Sequence, residues 1–467
     1  MSNKICIKTK MINEKKYLVL LVLVAGVLLL TPSTIRMLNH NNYMTNSEAY
    51  NTVRLYDQND ITYDSLEGHS TSLNVLNLIR LNDSARQILF NVVPIILGLI
   101  TVILAYLVLH KQNISEKTIV AIISLMIVSP IFMYAFTNYK IYSFVIFLNV
   151  LGLYFLMHDK IMFSIPAFAI IPFIDPFSGI VTLALLLVYM FSNQKHHSNT
   201  RIVSIALFAA VVISLIFNGV YGYNILHISE FNMHNILTDI GADVGVSFSI
   251  IILTTIGLIL LWEDGWRTLV TYALLLAFVV LALFNDTIRI YINFIIMIYA
   301  GFAFIYLTKR KWSITIIKKT TILLIICSIF FSTLVYTTKI IRSEPIPEYV
   351  DALNFVKAQS LPTEVILCSP TTGYIVEYYT ERMAFLDDST KYYYKDKVSD
   401  LDIIASSRNL DRTEKLLQQY NIKYIIIDRE FEPYLEDKEG LLFLIDTSKK
   451  FTSIYKNSDV EVWMYIQ

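Results

Sequence analysis

"FNDTIRIYINFIIMIYAGFAFIYLTKRKW", residues 284–312, contains a run, 288–307, in which Arg289 is the single charged side chain. A bilayer core of about 30 Å takes about 20 apolar residues per helix. Helices satisfy their own backbone groups in lipid, so this run predicts a membrane span. The cluster Lys309-Arg310-Lys311 closes one end; Asp286 and Arg289 stand at the other. A charge at membrane depth costs at least a few kcal/mol, which makes Arg289 a functional candidate. Two plainer readings compete with this. The arginine can snorkel to the interface, or pair with Asp286 one helical turn away.

Outward from this run the same texture repeats. The 467 residues are 55% hydrophobic and 16% charged, with mean hydropathy +0.55. Soluble domains average about 25% charged residues, so a wholly soluble protein is excluded. Apolar runs at 17–31, 88–109, 118–135, 142–157, 161–174, 177–192, 202–221, 246–262, 267–284, 288–307 and 316–336 predict about eleven helices. The weakest are 161–174, which holds Pro166 and Pro172, and its neighbour 177–192; the two can form one broken re-entrant pair. Net charge is zero, giving no basis for a nucleic-acid partner. Three scattered cysteines, Cys6, Cys327 and Cys368, supply neither a disulfide framework nor a zinc site.

Lysine and arginine near span ends set the orientation. The N-terminal "MSNKICIKTKMINEKK" carries five lysines against one glutamate and reads as cytoplasmic. The first run as a signal peptide is the other reading, but its exit "LLLTPSTIR" lacks a small-x-small cleavage site. Residues 1–340 then form the membrane domain, with a long outer loop at 32–87. Residues 341–467 form a small extracytoplasmic domain after the two prolines of "RSEPIPEY". In that tail, helix and strand patterns alternate, predicting an α/β fold. Val350, Leu353 and Val356 share a helical face, "EVILCSP" and "KYIIIDRE" are buried strands, "RMAFLDDS" alternates, and the last residues form a hairpin turning at 457–459. Asp411 with Glu414 has the capping-box spacing. No phosphate loop, GxSxG or HExxH occurs.

Outer-side charges carry the chemistry. "TNSEAYNTVRLYDQNDITYDSLEGHS", 45–70, brings Glu48, Arg54 and Asp64. A carboxylate there can act as general base or hold a divalent ion; the plain alternative is a solvated loop. Asp239 and Asp243 precede a span with i, i+4 spacing, and helix-end charge is their alternative reading. Asp175 in "FIDPFSG" reads first as a helix cap.

This layout resembles the GT-C superfamily of membrane glycosyltransferases, and within it the archaeal catalytic subunit of oligosaccharyltransferase. In that family the first outer loop reads Asn-Asp-x-Tyr-Tyr-x-x-Arg, then Phe-Asp-Pro; here "NSEAYNTVR" and "TYDSLEG" follow in the same order. The family's tail pattern, Val-x-Ser-Trp-Trp-Asp-Tyr-Gly-Tyr, then Arg and Leu-x-Asp-Asn-x-Thr, is echoed by "VILCSPTTGYIVEYYTERMAFLDDST". The run 288–307 looks like the family's arginine-bearing span. "SPTT" replaces the acceptor-reading Trp-Trp-Asp, and Asn138 and Lys140 stand where the family carries a metal-binding Asp-x-Asp.

The resemblance implies transfer of a glycosyl group from a polyprenyl, dolichyl-like, phosphate or diphosphate to a protein or glycan acceptor, with inversion. It implies Glu48, Asp64 and Asp243 as catalytic carboxylates, and Arg289 with Arg54 on the donor phosphate. Gly373, Tyr374 and Arg382 fall on the acceptor side. It also implies a divalent cation, Mg2+ or Mn2+, with Glu48 and Asp239 as candidate ligands. The rival readings are a non-catalytic scaffold subunit and a lipid or solute transporter.

Overall fold

The computed structural model describes residues 2–45, 47–57, 83–192, 197–220, 237–240, 242, 244–262, 265–388, 390, 394–435 and 439–466. The chain divides into two compact units, one holding most of the residues up to Ile341 and the other the tail from Arg342 together with Met37–Asp57.

The first unit is helical. Its elements are α1 (Ser2–Leu38) and, after α2 (Ser47–Asp57) of the other unit, α3 (Asp83–Lys111), α4 (Glu116–Val128), α5 (Pro130–Phe136) and α6 (Ile141–Met157). They continue with α7 (Ile161–Ala169), α8 (Ile171–Ile174), α9 (Pro176–Ser192), α10 (His197–Val220) and α11 (Phe248–Leu260). α12 (Trp266–Ala282), α13 (Asp286–Lys309) and α14 (Thr315–Ile341) complete it. Each expected apolar run is helical. Among the described residues five helices are long and apolar enough to cross a bilayer, and five shorter apolar helices accompany them. α4 and α5 make up the remaining run, bent by 65° at their junction. The expected run over 118–135 is thus helical but broken in two. Pro130 clashes with a helical residue before it, so Ser129 turns extended (ψ 131°). The 161–174 run is interrupted at Ile170, between its two prolines.

α13 is the most enclosed of the long helices, burying Ile290, Ile292, Met297, Ala300 and Ala303. Gly257 lets α11 lie against it, since a Cβ there would come within 2.1 Å of the Tyr299 carbonyl oxygen. Polar residues inside the bundle pair with one another. Asn149 on α6 donates to the Tyr291 hydroxyl at 2.9 Å, and Thr182 on α9 donates to Asn149 Oδ1 at 3.0 Å. Such interhelical bonds are worth about 0.6–2 kcal/mol in lipid, and here they fix the rotation of α13. At the end of α14, buried Arg36 donates to the carbonyls of Ile340 and Ile341 at 3.3 and 3.4 Å, a cation where the helix dipole favours one.

The second unit packs α15 (Pro347–Gln359), α16 (Gly373–Thr380), α17 (Lys395–Ser406), α18 (Leu410–Gln419) and α19 (Gly440–Thr447) around a sheet. The strands are β1 (Val365–Leu367), β2 (Ile422–Asp428), β3 (Phe451–Lys456) and β4 (Val460–Tyr465), in order β1-β2-β4-β3. β1 runs parallel to β2; β4 is antiparallel to β2 and β3. The expected face of α15 is buried at Val350, Leu353 and Val356, and the terminal hairpin turns where the sequence places it. "RMAFLDDS" forms only a single bridge, Ala384 to Ile366, instead of a strand. The cap of α18 is Asn409, accepting from Arg412 N at 3.2 Å. Glu414, the expected capping-box partner of Asp411, instead meets Lys450 at 2.8 Å.

Candidate active site

The start of α13 gathers the charge. Asn285 caps the helix, its Oδ1 accepting from Ile288 N at 3.1 Å. Asn285 is itself buried. One turn on, the Arg289 side chain is 5% exposed and pairs with Asp286, itself 55% exposed, at 3.0 Å. Arg289 Nε donates to the Ala282 carbonyl at 3.0 Å, and Nη1 donates to that of Val244 at 3.1 Å. A cation in the first turn opposes the helix dipole, by about 0.3–1 kcal/mol where exposed. Helix stability therefore does not account for Arg289. The carbonyls of Ala282, at the end of α12, and of Val244, in the segment before α11, hold it in place, and the ion pair expected from sequence is present alongside its burial.

Beside α13 lies the turn from α5 to α6. Tyr142 and Thr287 join through their hydroxyls at 3.0 Å. The Tyr134 and Tyr142 rings lie 6.4 Å apart, and Lys140 Nζ sits 3.6 Å above the Tyr134 ring, a cation–π contact. Sequence reading missed Tyr134, Tyr142 and Thr287. Aromatics are so common in this chain that only their clustering distinguishes them.

The carboxylates divide differently. Asp239, in the turn Thr238–Ile240, accepts from Phe248 N at 2.6 Å and Ser247 Oγ at 3.3 Å. It thus caps α11 from outside the helix, while among the described residues its buried Oδ1 has no hydrogen-bond partner. Asp175 caps α9, accepting from Ser178 N at 3.0 Å. Asp64, Asp243 and the side chain of Arg54 lie outside the described residues. Glu48 is half-buried in the first turn of α2. Among the described residues no group of three or more His, Cys, Asp or Glu could hold a metal ion. Asn138 and Lys140 offer an amide and an ammonium. The described donor set does not fit a divalent cation.

In the second unit α2 meets α16, so the helix of Glu48 packs on the helix that begins at Gly373. Tyr50 stands 5.2 Å from Tyr378 and 5.7 Å from Tyr379, ring to ring. Gly373 is required by close approach: a Cβ would lie 2.6 Å from Asp387 Cα. Asp387 and Thr390 brace that segment with reciprocal bonds of 2.7 and 2.9 Å. "GY" and "LDDST" are therefore one packed feature. Tyr374 is buried. Arg382 binds Ser360 Oγ and O at 3.1 and 2.9 Å and the Glu381 carbonyl at 3.0 Å, fastening the end of α15. Asp428, at the end of β2, accepts from Phe431 N at 2.7 Å and Thr372 Oγ1 at 3.4 Å. Burial pushes its carboxyl up to about 6.

No protein-family model and no curated protein matches the sequence. Solved structures do match in three dimensions. An Archaeoglobus fulgidus oligosaccharyltransferase tethered with an acceptor peptide is 11% identical, with TM-score 0.61, covering 97% of this chain and 74% of that one. The archaeal oligosaccharyltransferase AglB from the same organism, with an inhibitory peptide and a dolichol-phosphate, gives TM-score 0.62 at 11% identity, over 91% and 70%. ArnT from Cupriavidus metallidurans bound to undecaprenyl phosphate gives 0.54 at 10% identity, over 96% and 98%. The chain has the GT-C fold. The match with ArnT spans nearly the whole of both chains, so the GT-C fold here takes in the membrane helices and the α/β tail. This chain is accordingly a multi-pass membrane protein.

Proposed function

We propose that the protein is a membrane glycosyltransferase of the inverting GT-C type, taking its donor from a polyprenyl phosphate or diphosphate. The observation that carries this reading is Arg289, a buried guanidinium held by carbonyls at the start of a membrane helix. Its fork geometry matches phosphate oxygens. The similar structures hold an acceptor peptide, a dolichol-phosphate and undecaprenyl phosphate, which makes a lipid-linked donor and a protein or glycan acceptor the natural pair here.

In this reading Glu48 deprotonates or orients the acceptor group. The acceptor attacks the anomeric carbon and the bond to phosphate oxygen breaks. The lipid phosphate leaves with the electron pair, and Arg289, with Arg54, stabilises the charge that develops. Asp64 and Asp243 support the carboxylate role. Gly373, Tyr374 and Arg382 build the acceptor platform through the packing of α16. Residues 1–340 form the membrane domain, with a cytoplasmic N-terminus and the outer loop 32–87, and 341–467 lie outside.

The test is transfer from a labelled lipid-linked sugar in membranes holding the wild-type chain or Glu48→Gln. Loss of transfer with normal expression supports the reading; full activity in Glu48→Gln removes the base role.

A further inference from the structure

We propose that the hairpin joining α13 to α14 is a binding site for an anionic bilayer lipid, its basic side chains receiving the phosphodiester of the headgroup. The proposal goes beyond glycosyl transfer and does not depend on it.

The hairpin is short and braced. α13 ends at Lys309 and α14 begins at Thr315, and both helices are long and apolar enough to cross a bilayer. The link between them therefore lies at a membrane surface. Arg310 closes α13, its backbone N–H donating to the Tyr306 carbonyl at 2.8 Å and its guanidinium lying 5.9 Å from the Tyr306 ring. Trp312 Nε1 donates to the Leu307 carbonyl at 3.1 Å, which holds the link against the end of α13, and the indole packs on the membrane core. Tryptophan is enriched at the level of lipid headgroups. Ile314, Ile316 and Ile317 are 54%, 74% and 49% exposed, an apolar surface for acyl chains beside the charges.

Charge selects the lipid. Lys309, Arg310, Lys311 and Lys319 are exposed and Lys318 is half-buried. Among the described residues none of the five forms an ion pair. The chain has no Asp or Glu between Asp286 and Glu344, so the hairpin brings no counterion of its own. Other hairpins engage their charges. Glu116 accepts from the Tyr106 hydroxyl at 3.2 Å and lies 3.9 Å from His110, and Asp159 accepts from Asn199 at 2.8 Å. The helix dipole accounts for Lys309, Arg310 and Lys311, which stand at a C-terminal end that favours cations. It does not account for Lys318 and Lys319 in the opening turns of α14, where an anion is favoured. Setting the topology requires only cations near span ends; it requires neither the Trp312 brace nor the exposed isoleucines. A lipid with one phosphodiester charge and two acyl chains fits both parts of the surface.

The experiment reads quenching of Trp312 by brominated phosphatidylglycerol or brominated phosphatidylcholine in vesicles holding the full chain. Trp262→Phe, Trp266→Phe and Trp463→Phe leave Trp312 as the reporter, since the chain has four tryptophans. Phosphatidylglycerol should quench at about a tenfold lower mole fraction than phosphatidylcholine, and Lys318→Gln/Lys319→Gln should remove most of that preference. Lys318→Arg/Lys319→Arg should keep it, and about 1 M salt should shrink it. Equal quenching by the two lipids, or a preference untouched in Lys318→Gln/Lys319→Gln, overturns the proposal. Equal loss in the Gln and Arg variants makes the lysines structural and also sinks it. Loss of the preference on adding inorganic phosphate at low ionic strength would assign the cations to a free anion. Loss in Arg289→Gln, or displacement by a trace of undecaprenyl phosphate, would assign the signal to the donor site. Either result contradicts a bilayer-lipid site, whereas failure of the donor reading alone leaves the preference intact.

Discussion

Arg289 in the membrane unit and Arg382 in the tail unit are the same side chain, both singled out by family-like motifs, yet their surroundings differ. Arg382 spends Nε, Nη1 and Nη2 on Ser360 and Glu381. Every nitrogen serves the joint between α15 and the segment after α16. Arg289 is anchored by two carbonyls and paired with a half-exposed carboxylate. A buried ion pair with one wet partner can exchange that partner for a ligand anion, whereas Arg382 is tied at each nitrogen to its own unit. A motif match therefore locates an arginine, while its partners determine whether it can act on substrate.

The largest effect expected from this contrast is on chemistry. Arg289→Gln should cut transfer about 100- to 1000-fold, the scale for removing one preorganised donor to developing charge, measured with labelled donor in membranes. Retained transfer would erase the contrast.

The second effect is on the pH response of the tail unit. Burial raises the Asp428 carboxyl to about 6 from an unfolded value near 4. The native state then binds the proton more tightly, so this contribution is fully present below about pH 4 and is lost as pH rises through about 6. The swing is about 3 kcal/mol. Hydrogen exchange over 422–428 in the full chain should show wild type losing protection relative to Asp428→Asn between pH 4 and 7. An opposite slope would reject the assignment.

Arg382→Gln comes next. It leaves the Ser360 carbonyl without its guanidinium partner, at about 2 kcal/mol, read as faster exchange at the end of α15 with undecaprenyl phosphate binding unchanged. Asp286→Asn should be smallest. A pair with one half-exposed partner is worth about 0–1 kcal/mol, so transfer should stay within about fivefold of wild type. A larger loss would make Asp286 a catalytic participant rather than an exchangeable counterion.

The membrane helices were legible because lipid imposes a length and an apolar composition on each span, and a residue-by-residue reading captures both. The bend at Ser129–Pro130 was also written in the sequence, as a proline inside an apolar run, but hydropathy averages over it. What sequence could not supply were the long-range commitments. Asp239 caps a helix starting nine residues later, Asn149 finds Tyr291 across the bundle, and Gly373 exists for the sake of Asp387. Asp175 was legible as a cap because its partners are its immediate neighbours.

The most direct test of the donor reading is photo-crosslinking of a labelled, photoactivatable polyprenyl phosphate to the purified full-length chain, with adducts mapped by peptide sequencing. Adducts concentrated at Tyr142, Thr287 and Arg289, and lost on competition with undecaprenyl phosphate, are the predicted result. Adducts spread over the exposed apolar faces of α1 and α14, with none at the start of α13, would contradict the account.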